Sequence, residues 1–412
     1  MKRCLMKYFV IVPIFFLALA SCRHSPTETA PVTPPAEFTA VEKNIIAADN
    51  NFGLSLFNKL SGEQKNANVI ISPLSVSMAF GMLLNGANGA TFDSLEQVLG
   101  KSGLSSDEMN ISYQTISNTL TNLDANVNFQ IANSIWYRSG FSVLPKFLSD
   151  NQTYFNAEVQ ALNFSSADAV TTINNWVSTK TNGKIPAVLN GLIPDSIVLY
   201  LIDAIYFKGT WTYQFNAANT KNASFTCSNG TVVTCNMMSQ ESKFAYYADS
   251  ALQAIDLPYG NGSFSMTILL PTINTDIDQF AASLTQSQWN SIVNSMDSTT
   301  VDLYLPKFKL EYQKELNNEL MAMGMGIAFG IHADFSRISA DGGLAVSNVL
   351  HQTFVEVNEE GTEAAAVTVI GIKYTAVLEM PAMNMNHSFI FAIRDHHTGT
   401  ILFIGKVVNP NS

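Results

Sequence analysis

The sequence predicts one large α+β domain, and three observations lead there. Helix-period apolar patterns come early, over Ile45–Leu60, Ser75–Leu84 and Ile173–Thr181. Strand-like runs come later, at Val198–Phe207, Ser263–Leu270, Val301–Leu305, Phe389–Arg394 and Thr400–Val408. Segregated helices and strands define this class, in contrast to a βαβ alternation. The third observation is size: 412 residues, 47% hydrophobic and only 13% charged, can bury a large core. Length alone would suggest two or three domains, yet no linker, repeat or low-complexity run follows residue 40. The expectation is a single domain over residues 41–412.

Residues 1–21 read as a targeting segment. Lys2, Arg3 and Lys7 precede an apolar run of 13 residues, Tyr8–Ala20, too short for a membrane span of about 20. The run ends in Leu19-Ala20-Ser21-Cys22, which resembles a bacterial lipobox, with Cys22 acylated and left as the new N-terminus. The alternative is a plain secretory signal with a chance cysteine. Two or three acyl chains would hold firmly where one would not. Residues 22–40 hold Pro26, Pro31, Pro34 and Pro35 and read as an extended tether, at about 3.1 Å per residue. The expected location is the bacterial cell envelope, lipid-anchored at the outer membrane or cell surface, or extracellular.

Charge excludes several partners. The formal net charge is −11, and removing the three basic residues of the leader leaves about −14. No basic stripe is present, so nucleic acid and anionic lipid faces are not expected partners. With Cys4 removed and Cys22 lipidated, Cys227 and Cys235 remain, flanking Ser228-Asn229-Gly230-Thr231. A two-residue turn at Asn229-Gly230 would pair Cys227 with Val232 and keep the cysteines from facing each other. A disulfide and two buried thiols are both open.

Enzyme signatures are missing: no G-x-S-x-G elbow, H-E-x-x-H, C-x-x-C or P-loop occurs. Gly324-x-Gly326-x-x-x-Gly330 has the wrong spacing for a dinucleotide fingerprint and follows a helical-looking stretch, Tyr312–Met323. His396-His397 precede Thr398-Gly399 and read as exposed turn residues. Met321, Met323 and Met325 read as adaptable core packing. The paired acids Glu359-Glu360 have no partner group to act with. Neither cofactor nor metal is expected, and the chain is not expected to be an enzyme.

The informative run is Val357–Thr368, V-N-E-E-G-T-E-A-A-A-V-T. It follows Phe354-Val355-Glu356-Val357, a strand of period two. On a strand Thr362, Ala364, Ala366 and Thr368 share one face, all small, with Glu363 on the other. Gly361 before them gives the backbone freedom of a hinge. Such a segment suits a loop that later slides between strands of an existing sheet. An ordinary small-residue strand or an Ala-rich helix is the plainer reading of the composition.

The string resembles the reactive-loop hinge of serpins, and the likeness runs from about Asn44 to Pro410. Asn68–Ser75 resembles the family's N-x-x-x-S-P-x-S segment, Asn182–Ile185 its NGKI, and Ala204–Trp211 its YFKGxW strand. Met237-Met238, Leu257-Pro258-Tyr259, Leu305–Phe308 and Phe403–Pro410 follow in family order. The resemblance implies three β-sheets, about nine helices and an exposed reactive loop toward the C-terminus. It implies suicide inhibition of a serine protease, or of a papain-like cysteine protease, by a monomer. Cleavage of the loop would form an acyl-enzyme, the hinge would insert into the central sheet, and deacylation would stall.

The hinge so implied comprises Glu359, Glu360, Gly361, Thr362, Glu363, Ala364, Ala365 and Ala366. Ser72, Ser75 and His351 match the polar cluster beneath the parting strands. Trp211, Lys307 and Glu359 match the entry point, where a Glu359–Lys307 ion pair would help hold the loop out. Asp203 stands where most family members carry asparagine. A carboxylate there, near His351, predicts pH-sensitive opening of the sheet. The scissile bond is open: spacing from Gly361 lands on Thr375-Ala376, spacing back from Phe389 on Val377-Leu378. Thr375, Ala376 and Val377 suit elastase-like or subtilisin-like pockets, Tyr374 a chymotrypsin-like one, and Lys373 is the only basic residue nearby. The alternative function is a non-inhibitory member acting as a binding or structural protein. A proline or large charge at Thr362, Ala364 or Ala366 would mark it, and none is present.

Overall fold

The computed structural model describes residues 37–362 and 380–412. Within it, residues Glu37–Ser412 form one compact unit. The expected leader with Cys22, and the loop residues Glu363, Ala364, Ala365, Ala366, Thr368, Lys373, Tyr374, Thr375, Ala376, Val377 and Leu378, lie outside the described residues.

Local chemistry sets the helices. Ala40–Glu63 opens on a reciprocal cap, in which Thr39 Oγ1 accepts from Glu42 N–H (3.2 Å) and Glu42 Oε2 from Thr39 N–H (2.7 Å). Its apolar stripe of Ile45, Phe52, Leu56, Phe57 and Leu60 is buried. Pro73–Leu84 carries proline in its first turn, where the missing N–H is no loss, and Ser72 caps it. Nine α-helices are present among the described residues.

The strands form two hydrogen-bonded sheets. The larger has nine strands, in the order Val69–Ile71, Ile401–Val407, Phe389–Asp395, Phe264–Pro271, Leu252–Tyr259, Val232–Ala248, Asp297–Pro306 and Ala382–Asn384, with Lys221–Thr226 paired to the side of Val232–Ala248. Two of the three expected sheets are thus joined. The joint is Val232–Ala248, 17 residues long, which pairs with three neighbours along its length. Three of the larger sheet's strands, Phe264–Pro271, Phe389–Asp395 and Ile401–Val407, are buried from end to end, including the polar Ser265, Thr267, Arg394, Asp395 and Lys406.

The smaller sheet runs Phe308–Glu315, Leu350–Val357, Gly361–Thr362, Leu199–Thr210, Val127–Arg138, Glu158–Leu162. One reading is corrected here. Tyr312–Glu315, taken as helical, is the end of a strand, and the α-helix begins only at Asn317. Phe308, Leu310 and Tyr312 are buried while Lys309, Glu311 and Gln313 are exposed, which is period two. The hairpin after Cys227 is corrected too. Thr226, not Cys227, pairs with Val232, because Cys227 N–H donates to Thr231 O (2.8 Å) across the three-residue loop Ser228-Asn229-Gly230, with Gly230 at φ 81°. Cys235 faces Ala223, and both cysteines are free buried thiols.

Candidate functional site

The small sheet is interrupted at its centre. Gly361–Thr362 lies between Leu350–Val357 and Leu199–Thr210, with Val357 opposite Thr362 on one side and Thr210 and Gly209 opposite Gly361 and Thr362 on the other. Below those two residues no ladder joins the flanking strands among the described residues. A cavity of about 330 Å³ lies there, with Leu199–Ala204 on one wall and His351 and Gln352 on the other. Strands that flank one intervening strand stand about 10 Å apart. The gap is one strand wide.

The chain enters the gap through a two-residue turn. Asn358 N–H donates to Gly361 O (3.0 Å) and Gly361 N–H to Asn358 O (3.3 Å), leaving Glu359 and Glu360 at the tip. Gly361 has φ +149°, and a Cβ there would lie 2.0 Å from Gly209 O. Only glycine fits. Trp211 braces the turn: its N–H donates to Glu360 O (2.8 Å) and its indole Nε1 to Asn358 O (2.9 Å). Phe215 N–H donates to Glu359 O at 2.9 Å. Lys307 Nζ stands 2.8 Å from Glu359 Oε2, and Thr220 Oγ1 donates to Glu359 Oε1 at 2.8 Å. Burial alone would raise the Glu359 carboxyl, but the Lys307 and Thr220 hydrogen bonds hold it below its ordinary value. The expected Glu359–Lys307 ion pair is present, and it anchors the turn that precedes Thr362.

Under the gap lies a polar layer. Ser72 N–H donates to His351 Nε2 (3.1 Å), Ser72 Oγ donates to Leu402 O (2.7 Å) and accepts from Ser75 N–H (3.3 Å). Burial pushes His351 down to about 4, so it is a neutral acceptor. Asp203 is pushed up to about 8, also by burial. Both its oxygens are enclosed without a hydrogen-bond partner of ordinary geometry among the described residues, and the nearby Ser75 side chain partly offsets the rise. Asp203 and His351 line the same cavity, but the histidine's bond goes to Ser72. The carboxyl thus stands near the histidine, as expected.

Sequence reasoning missed Asn133 in this layer and Tyr259 at the head of the gap. Asn133 pairs with Asp203 across the ladder and has its own Oδ1 enclosed without a partner, while its Nδ2 donates to Phe155 O at 2.9 Å. Tyr259, quoted within Leu257-Pro258-Tyr259 but given no role, stacks on Trp211 with centroids 4.3 Å apart. Only pairing and stacking across the fold reveal them.

An α+β fold whose smaller sheet is interrupted beyond Gly361–Thr362 defines the class. The chain belongs to the serpin family: the sequence profile described as Serpin (serine protease inhibitor) matches residues 47–410. Leukocyte elastase inhibitor of Xenopus tropicalis is 36% identical over 379 residues, 89% of this chain and all of that protein. Neuroserpin of Gallus gallus is 32% identical over 97% of each chain. Among solved structures, the native thermophilic serpin Tengpin superposes with a TM-score of 0.82 at 32% identity, covering 91% of this chain and 96% of that one. Human thyroxine-binding globulin with its hormone superposes equally, at 0.82 and 27% identity over 90% of this chain and all of that one.

Proposed function

We propose that the protein is a single-use inhibitor of serine proteases that acts by loop cleavage and strand insertion. One observation carries the reading: Gly361–Thr362 already occupies the head of a gap between two strands, and an open cavity lies between those strands farther along. Residues after Thr362 continue with small side chains, Ala364, Ala365 and Ala366, in the sequence. A strand that fills the gap gains two ladders of hydrogen bonds and buries the cavity walls. A protease acylated on the cleaved loop would be carried with it and its deacylation would stall, which is kinetic trapping and not turnover.

Similarity to leukocyte elastase inhibitors and the small residues Thr375, Ala376 and Val377 favour an elastase-like or subtilisin-like target. Tyr374 would direct the loop to chymotrypsin-like pockets instead. The lipobox-like Cys22 favours a monomer displayed on a bacterial envelope through a lipid anchor. Incubation with elastase-type and chymotrypsin-type enzymes, followed by denaturing gels and mass analysis of the released C-terminal peptide, tests this. A detergent-resistant complex is expected, with the peptide's N-terminus fixing the bond. Clean cleavage without a complex would replace this reading with the non-inhibitory one.

A further inference from the structure

Tyr259 is fully buried, and among the described residues its hydroxyl pairs with Thr362 Oγ1 at 2.7 Å. Thr362 is itself buried, 3% exposed, and is the residue that sits in the gap. Burial raises the Tyr259 phenol far above its ordinary value, so it stays protonated and able to donate. Its ring is fixed by stacking on Trp211 and by an edge contact with Phe207, 5.1 Å between centroids. The hydroxyl therefore points at one place and cannot swing to water. When Thr362 leaves the sheet, a buried phenol loses its partner, and a lost partner is penalised far more than an average hydrogen bond is worth.

We infer that Tyr259 is a positioning residue for strand insertion: its hydroxyl latches Thr362 into the first slot and so fixes the register in which the rest of the segment enters. Register matters because a slip of one residue would turn the small face outward and drive Glu363 into the core. Glu359–Lys307 cannot set it alone. That pair holds the turn, whereas the Tyr259–Thr362 contact is made inside the slot.

The proposal deepens the inhibitor reading, and its test separates the two. Amide hydrogen exchange across residues 357–362 is measured on the full chain without any protease. Tyr259→Phe keeps the ring and removes the hydroxyl, and Thr362→Val does the same from the other side. Each is expected to speed exchange of this segment about tenfold, while Leu199–Phe207 keeps its protection. The double variant should exchange no faster than either single one, and Thr362→Ser should retain protection. Wild-type exchange in both single variants, or additive effects in the double, would overturn the latch. The same variants are then mixed with an elastase-type protease, where the fraction trapped should fall and the fraction cleaved should rise. If wild type itself forms no complex, the inhibitor reading fails, and the exchange data still decide the latch.

Discussion

Asp203 is the residue whose chemistry can be followed most directly. Its folded value near 8 lies above the ordinary 3.8, so the folded state holds a proton that the unfolded chain releases. Stability from this group falls as pH rises from about 4 to 8, by roughly 1.4 kcal/mol per pH unit at most. His351 works the other way. Held near 4 against an ordinary 6.5, it resists a proton that the unfolded chain accepts, so it lowers stability as pH falls through that window. Between 4 and 6.5 the two slopes oppose, and above 6.5 Asp203 acts alone. Denaturant unfolding should show Asp203→Asn more stable than wild type, by a margin that grows from pH 4 to 8 and then levels. A margin independent of pH would refute this. At Gly361 the expectation is steric. Gly361→Ala meets Gly209 O and an unfavourable φ, about 1–3 kcal/mol of strain, and should free Thr362 from the sheet, read as lost exchange protection there.

The turn at Glu359–Glu360 is the element on which the proposed insertion depends, and the magnitudes rank its supports. Lys307 is 36% exposed, so its ion pair with Glu359 is screened, and Lys307→Ala should destabilise by less than about 1 kcal/mol. Trp211 is buried and supplies both an indole bond to Asn358 O and the stack on Tyr259, so Trp211→Phe should remove about 1–2 kcal/mol. Thermal unfolding of the two variants checks that order. Sequence reasoning found Trp211, Lys307 and Glu359, which the fold brings within one turn. It did not find the turn, because Glu-Glu lacks the Asn-Gly chemistry that marks tight hairpins. The Asn229-Gly230 hairpin was visible, but its loop length depended on one glycine conformation. Phe308–Glu315 shows the opposite failure: a sound alternation was overlooked because the helix at Asn317 follows at once.

At the scale of the molecule, the α+β class was legible, whereas the interruption of the smaller sheet at Gly361–Thr362 was not. The fusion of two sheets through one 17-residue strand was not, since pairing between distant segments leaves little local trace. Under the proposed mechanism the native fold is incomplete and its own chain completes it. A charge on the inward face should block that completion. Ala364→Arg should leave loop cleavage intact while abolishing the trapped complex on a denaturing gel. The most direct measurement is the thermal unfolding midpoint before and after a single cut within residues 363–379. A cut that lets the segment fill the 330 Å³ gap should raise the midpoint by tens of degrees, as roughly a dozen residues gain ladders and burial. An unchanged or lower midpoint in the cut protein would contradict the account.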